Sequence, residues 1–436
     1  MAHLVGYNSH YNIWKESLPS MDKQQKLTNQ KPAETLSRRV INFLGLRRSI
    51  IAMLLMAILV GMGEKMAERF LPLYIMALGG TIIVVGLLNG MDNLLSALYS
   101  FPGGYLSERL GYKKALLVFN LIALFGFSLV ILIPTWPAVI IGSIFFISWT
   151  AISLPAMMSL VSDVLPSSKR TMGVSVHSFV RRIPMALGPV VGGTLIGIYG
   201  TQDGVRLAFV AAFIMGIVAL IVQQVLIKEV KNKARSNTPL LNPFKSFNLV
   251  TPDLRRLLIS DILVRFCEQI PYAFVVIWAV TNNGITALQF GLLTTIEMVT
   301  AMLIYIPVAY FADRSTKKPF VLITFGFFTL FPLILIFSHS FPMLALAFII
   351  RGLKEFGEPT RKALIMDLAP EDKKALTFGV YYLIRDVIVS GAAFGGAFLW
   401  NVSPQVNFLT AFAFGLIGMV FFAIFGRDLK STHSVV

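Results

Sequence analysis

The first long apolar run of this chain is broken by GMGEKMAERF, Gly61 to Phe70, which carries Glu64, Lys65, Glu68 and Arg69. The flanking stretches, RRSIIAMLLMAILV and LPLYIMALGG, are apolar enough to enter a bilayer. Ionised groups in hydrocarbon are costly, and they face a partner or a water-filled cavity. A carboxylate placed there can take and release a proton, and an arginine can grip a carboxylate or phosphate through two parallel hydrogen bonds. Similar charges recur in other apolar stretches. Arg265 and Glu268 share one, Arg181 and Arg182 follow His177, and Arg385 precedes Asp386. FIIRGLKEFGEPTRKALIMDLAP holds Arg351, Lys354, Glu355, Glu358, Arg361 and Lys362, while Asp92 and Glu297 stand alone.

Glu64 and Glu268 are the first candidates for proton coupling, with Glu358 next. Lys65, Arg265, Arg181, Arg182, Glu355 and Arg385 are candidates for modulating those carboxylates or for binding an anionic or zwitterionic solute. Adjacent helical residues point roughly 100° apart, so Glu64 and Lys65 are not expected to neutralise each other. Arg351–Glu355 and Lys354–Glu358 have the spacing of i, i+4 pairs. The competing reading makes all these charges fixed interhelical salt bridges. His177 reads as a local hydrogen-bonder, Asp163 and Asp367 as gate or loop residues, and Cys267 as a small packing residue.

The elements that must position these groups are membrane helices. Of 436 residues, 56% are hydrophobic and only 14% charged, against roughly 25% charged in soluble domains. Continuous apolar runs recur at the length of about 20 residues that a spanning helix needs. Twelve candidate spans are expected, among them 49–76 (first), 171–198 (fifth), 205–227 (sixth), 255–281 (seventh) and 342–366 (tenth). Lys and Arg fall in alternate loops: ERLGYKK, PSSKR, KEVKNKARSN, DRSTKK, PEDKK and GRDLK. The positive-inside rule places those loops and both termini in the cytoplasm of a cell with this protein in its inner or plasma membrane. The net charge of +16 is thereby explained without nucleic acid. A single cysteine excludes an intramolecular disulfide and a CxxC site.

An offset of 204 residues aligns Glu64 with Glu268, Pro155 with Pro359, Asp163 with Asp367, Arg181 with Arg385 and Gly192 with Gly396. The chain therefore reads as a cytoplasmic tail (1–48) with a basic amphipathic stretch, a six-helix bundle (49–227), a cytoplasmic linker (228–254), a second six-helix bundle (255–427) and a short tail (428–436). Parallel halves imply a pseudo-twofold axis along the membrane normal and a solute path between them.

GGYLSERLGYKK, Gly103 to Lys114, resembles the G-x-L-x-D-R-x-G-R-K loop signature of the major facilitator superfamily. Gly104, Leu106, Arg109, Gly111 and Lys113 match, and Glu108 replaces the usual Asp. A second, degenerate copy holds Asp313 and Arg314. RRIPMALGPVVGGTL resembles the family's antiporter helix motif through Gly188, Pro189, Gly192 and Gly193, with Pro184 replacing the leading glycine. The resemblance implies an all-α fold of two pseudo-twofold-related bundles, with spans 1, 4, 7 and 10 lining a cavity. It implies a loop that latches one conformation, a monomer, and a secondary transporter working by alternating access. The antiporter motif favours proton-coupled efflux over uptake of an anionic metabolite, peptide or siderophore. A non-transporting sensor or scaffold is the alternative of another class. No GxxxxGK[ST] loop or metal-ligand constellation stands out, so no enzyme activity and no cofactor are expected, and the proton gradient would supply the energy.

Overall fold

The computed structural model describes residues 47–147, 149–165, 176–228, 250–312, 316–370 and 374–427. The described residues form helices and turns. In chain order they are α1 Arg48–Glu68, α2 Leu71–Ala77, α3 Ile82–Leu110, α4 Tyr112–Leu132, α5 Trp136–Phe146, α6 Trp149–Val164 and α7 Arg182–Leu226. The second half contains α8 Pro252–Tyr272, α9 Val275–Ile277 with a π-helical turn Trp278–Asn282, α10 Ala287–Ala312, α11 Lys318–Phe337, α12 Phe341–Leu353, α13 Glu358–Leu368, α14 Lys374–Val402 and α15 Pro404–Phe425.

Local chemistry sets several helix starts. Thr251 accepts a hydrogen bond from the Leu254 amide at 3.2 Å, and Pro252 occupies the first turn of α8, where its missing N–H costs nothing. Ser403 and Pro404 repeat that arrangement at α15, with Ser403 accepting from the Val406 amide at 3.1 Å.

Nine helices among the described residues are long and apolar enough to cross a membrane, or ten if α8 and the 275–282 segment, bent by 42°, form one span. Two physical features separate this count from the twelve expected. Residues 176–226 run together over the fifth and sixth expected spans, but Gly200 inside them has φ of 79°, a left-handed conformation that breaks helical geometry. The tenth expected span is divided into α12 and α13 by a turn at Lys354–Gly357.

The breaks follow the repeat. The first span turns at Arg69 and Phe70, and the seventh turns at Ala273 and Phe274, 204 residues later. The tenth is divided into two helices, α12 and α13. Irregular backbone at membrane depth persists only where protein or a cavity surrounds it. The broken elements therefore surround the polar interior.

Burial is inverted relative to a soluble protein. Leu303, Ile198, Val225 and Ile424 are exposed, while Asn120, Gln223, Asp261, Arg361 and Glu297 are buried. A bilayer as solvent accounts for this arrangement. The second half also has an apolar core of Leu254, Leu257, Val321, Phe325, Leu364 and Phe422.

The halves meet along two seams, α7 on α10 and α3 on α14. Glycine makes both close. A Cβ at Gly291 would lie 2.7 Å from the Pro189 carbonyl carbon, and one at Gly90 would lie 3.0 Å from the Ser390 carbonyl oxygen. Both seams are tight toward the end of the bundle that carries the turns at Gly79, Gly200 and Gly284.

Candidate functional site

Two cavities flank the end of α1. The first, about 380 Å³ with its open space included, is lined by Glu64, Lys65, Trp149, Thr150, His177 and Arg181, among others. The second, about 490 Å³ on the same measure, takes Glu68 and Arg69 from the first span, Asn89 and Asp92 from α3, Tyr272 from α8, Phe290 from α10 and Arg351 from α12. It is therefore built by both halves.

Lys65 connects the two cavities. Its ammonium lies 3.2 Å from Glu64 Oε1 and also contacts Glu68 closely. The expectation that Glu64 and Lys65 would not pair is thus incorrect. The lysine stem is long and flexible enough to cross the roughly 100° between neighbouring positions. Glu64 is only 4% exposed, and the Thr150 hydroxyl donates to its Oε2 at 3.4 Å.

Glu268, its counterpart in the repeat, has a different environment. Arg265 donates to one carboxylate oxygen at 2.5 Å and Lys354 to the other at 2.7 Å. The sequence treats the two glutamates alike, but the structure pins Glu268 between two cations and sets Glu64 against a cavity.

Glu268 belongs to an ionic chain through the second half. Lys354 lies 3.4 Å from Glu297, which lies 3.3 Å from Arg351. On the other side, Arg265 lies 3.5 Å from Glu358, and Glu358 pairs with Arg361 at 2.6 Å. Arg361 contacts Asp261 closely, and Asp261 also lies 3.4 Å from Arg385 and accepts the Tyr381 hydroxyl at 3.0 Å. Asp261 and Arg361 are each 1% exposed. Arg385 is held besides by Asp386 at 2.7 Å.

The expected pairs Arg351–Glu355 and Lys354–Glu358 do not form. The turn at Lys354–Gly357 removes the helical register they need, so Arg351 and Lys354 go to Glu297 and Glu268, and Glu358 goes to Arg265 and Arg361. Glu355 instead reaches across the halves to Arg182 at 3.3 Å. Further bridges are Arg69 to the Tyr272 hydroxyl at 2.7 Å, Asn89 to the Gln269 carbonyl at 2.9 Å and Asn93 to the Gln269 side chain at 3.2 Å.

Asp261 and Tyr272 were not singled out from sequence, and Glu297 and Arg361 were named only among the charges of the apolar stretches. Asp261 was within reach of such reasoning: it stands four residues before Arg265 and seven before Glu268, on one helical face. Tyr272 carried no such signal.

The glycine motif on α7 explains how the charged stretch of α1 is held. A Cβ at Gly188 would lie 2.8 Å from Lys65 Cβ, and one at Gly192 would collide with the Met66 carbonyl oxygen. In the second half, a Cβ at Gly396 would collide with the Ile270 carbonyl oxygen, the repeat equivalent of the Met66 contact. A Cβ at Gly193 would collide with the Ala287 carbonyl oxygen in the opposite half, and Gly291 packs against Pro189. Close backbone approach of this kind needs small residues.

In the loop motif, Gly111 has φ of 88° and ends α3. Arg109 donates to the Tyr105 hydroxyl at 2.8 Å and Lys113 to the Gln224 carbonyl at 2.8 Å, while Gly104 has open space where a Cβ would stand. The side chain of Glu108, together with Asp313 and Arg314, lies outside the described residues. Of the other expected residues, Asp367 pairs with Lys317, His177 contacts the Met157 sulfur at 3.1 Å, and Cys267 is buried with its thiol donating to the Phe328 carbonyl at 3.3 Å. No group of three or more His, Cys, Asp or Glu placed to hold a metal ion occurs among the described residues.

The family model of the Major Facilitator Superfamily matches residues 53–258 and again 257–435. The chain belongs to the major facilitator superfamily. It is an all-α integral membrane protein and a transporter of this superfamily's kind, not an enzyme. Among its relatives is an uncharacterised MFS-type transporter of Methanocaldococcus jannaschii, 22% identical over 357 residues, covering 80% of this chain and 87% of that protein. The quinolone resistance protein NorA of Staphylococcus aureus is 27% identical over 151 residues, 34% of this chain and 39% of NorA. The fold is similar to that of the nucleoside transporter NupG, with a TM-score of 0.73 at 12% identity over 87% of this chain and all of that one. It is also similar to the peptide transporter POT, with a TM-score of 0.70 at 15% identity over 93% of this chain and 98% of that one.

Proposed function

We propose that this superfamily member exports a small solute in exchange for protons, with Glu64 as the proton-carrying carboxylate. The unequal surroundings of the two repeat-related glutamates carry this reading. Glu268 is held by Arg265 and Lys354, whereas Glu64 lines a cavity and shares the ammonium of Lys65 with Glu68. A carboxylate that must gain and lose a proton in each cycle needs access and a replaceable partner. The cavity between the halves supplies the solute path, and the glycine seams supply surfaces on which the halves can rock.

Resemblance to NorA, a quinolone resistance protein, supports efflux. The alternating basic loops support an orientation with both termini in the cytoplasm and the Gly79, Gly200 and Gly284 turns outside. Closed seams near those turns then correspond to an arrangement shut toward the exterior. The proton gradient is the energy source, with no cofactor, and the working unit is a monomer. Most of the arginines that suggested an anionic solute are engaged by carboxylates, Arg265, Arg351 and Arg385 among them.

Reconstitution into proteoliposomes with an imposed pH gradient tests this reading. A solute panel of fluoroquinolones, organic amines and dipeptides is screened for collapse of the gradient. The wild type should exchange at least one of them for protons, and Glu64→Gln should abolish that exchange while remaining folded. Undiminished proton-driven flux through Glu64→Gln, or movement of solute with the protons, would sink the proposal.

A further inference from the structure

The cavity between the halves holds two charges of opposite sign that have no ionic partner. Glu68, Arg69, Asp92 and Arg351 all line it. Two of them are paired: Glu68 contacts Lys65, and Arg351 lies 3.3 Å from Glu297. The Arg69 side chain bonds only the neutral Tyr272 hydroxyl, at 2.7 Å, and Asp92 makes no side-chain hydrogen bond among the described residues. Neither enters an ion pair among those residues, with the other or with a third group. Ionised groups at membrane depth face a partner or a water-filled cavity, and these two face the same cavity. Their charges sum to zero. The cavity therefore suits neither a lone cation nor a lone anion, but a molecule carrying both charges.

Both unpaired groups belong to the first half. Arg69 follows α1 at the break of the first span, and Asp92 stands on α3. Each is held at the boundary between the halves. Tyr272 fixes Arg69, while Asn89 and Asn93, on either side of Asp92, bond the Gln269 carbonyl and side chain. The second half presents Tyr272, Val275, Val276 and Phe290 to the cavity. Its own cation there, Arg351, is committed to Glu297 and lies over the Phe331 and Phe348 rings. The first half thus offers free charge, and the second an apolar and aromatic wall.

We propose that this cavity binds a small zwitterion with an apolar body, its carboxylate on Arg69, its ammonium on Asp92 and its body against Phe290 and Val276. A guanidinium has five N–H donors, so Arg69 can bond Tyr272 and still grip a carboxylate. A solute with only one charge leaves the opposite group of the cavity desolvated and unpaired, which costs more than the missing contact alone. The inference deepens the proposed export by naming the solute class, and it rests on this cavity as the solute path. Binding read at equilibrium, with no pH gradient, is independent of Glu64 as the proton carrier, so the two readings fail separately.

The purified full-length chain is titrated by calorimetry near neutral pH with phenylalanine and with alanyl-phenylalanine, zwitterions that differ in charge separation. At least one should bind. For that one, N-acetylation removes the ammonium and amidation removes the carboxylate, and each should weaken binding about 10- to 150-fold. Asp92→Asn should weaken the zwitterion by a similar factor without weakening the N-acetyl form. Arg69→Gln should likewise weaken the zwitterion without weakening the amide. A merely structural role for either residue would weaken all forms alike. Should Arg69→Gln not fold, Arg69→Lys takes its place: it keeps the charge, loses the planar fork, and should weaken the zwitterion more than the amide. Absence of binding by both zwitterions, or equal binding of either capped form, overturns the site. Equal weakening of the zwitterion and the N-acetyl form by Asp92→Asn, or of the zwitterion and the amide by the Arg69 variant, overturns the assigned pair.

Discussion

Gly193→Ala should shift the balance between the two facing states rather than unfold the protein. A Cβ there would stand 2.7 Å from the Ala287 carbonyl carbon and 2.9 Å from Leu288 Cα, besides colliding with the Ala287 carbonyl oxygen. Carbon atoms pack best about 3.5–4.0 Å apart, so the α7–α10 seam has to open by about 1 Å. The atoms met are backbone, which cannot rotate away, and all belong to the opposite half. Overpacking of this kind costs about 1–3 kcal/mol, and here the cost falls on the state in which the seam is closed. Converted to populations, that is a shift of roughly 5- to 150-fold toward the state in which the halves separate at this end. Spin labels at the exposed positions Asp203 and Asn282, one in each half near the Gly200 and Gly284 turns, report the separation by pulsed electron resonance. The distance distribution should move to longer values in Gly193→Ala. Gly197→Ala is the control, because nothing lies within 4 Å of a Cβ there. An unchanged distribution in Gly193→Ala, or an equal change in the control, would refute the reasoning.

Other substitutions separate structural charges from functional ones. Glu268→Gln leaves Arg265 and Lys354 without their shared carboxylate and should lower stability by about 3–5 kcal/mol, whereas Glu64→Gln should leave the thermal unfolding midpoint nearly unchanged. Equal midpoints for the two variants would contradict the assigned division of roles. Asp261→Asn removes the carboxylate shared by the buried Arg361 and Arg385 and should cost about 3–5 kcal/mol, while Lys317→Ala, at a pair whose Asp367 is 39% exposed, should cost no more than about 1 kcal/mol. Thermal denaturation in one detergent compares them, and a larger loss in Lys317→Ala would reverse the argument. Trp149→Phe deletes the indole N–H that donates to Asn120 Oδ1 at 2.9 Å, so it should cost about 1–3 kcal/mol. A variant as stable as the wild type would show that this bond is dispensable.

Glu64 and Glu268 show how far the pattern of residues reaches. Their common place in the repeat is plain from spacing, as is the apolar setting that makes both of them costly. Their different partners are not, because Lys354 meets Glu268 across a helix interface, 86 residues later in the chain. Local geometry misled at Lys65, where a flexible stem overrides the angle between adjacent positions. It misled again at Arg351 and Lys354, where the expected i, i+4 pairs assume an unbroken helix. The turn at Lys354–Gly357 carries only a weak advance signal, Gly357 followed by Glu358 and Pro359.

Membrane class, the internal repeat, the alternation of basic loops and the glycine motifs are all legible in composition, periodicity and spacing, because the bilayer imposes length and polarity on every span independently. Which charges pair, which one faces a cavity and which glycine meets the opposite half depend on helix rotation and on where helices break. Those choices are made by packing between segments far apart in the chain. Lys65 is the clearest case. The sequence places it beside Glu64, and only the folded structure gives it Glu68 as a second partner in another cavity.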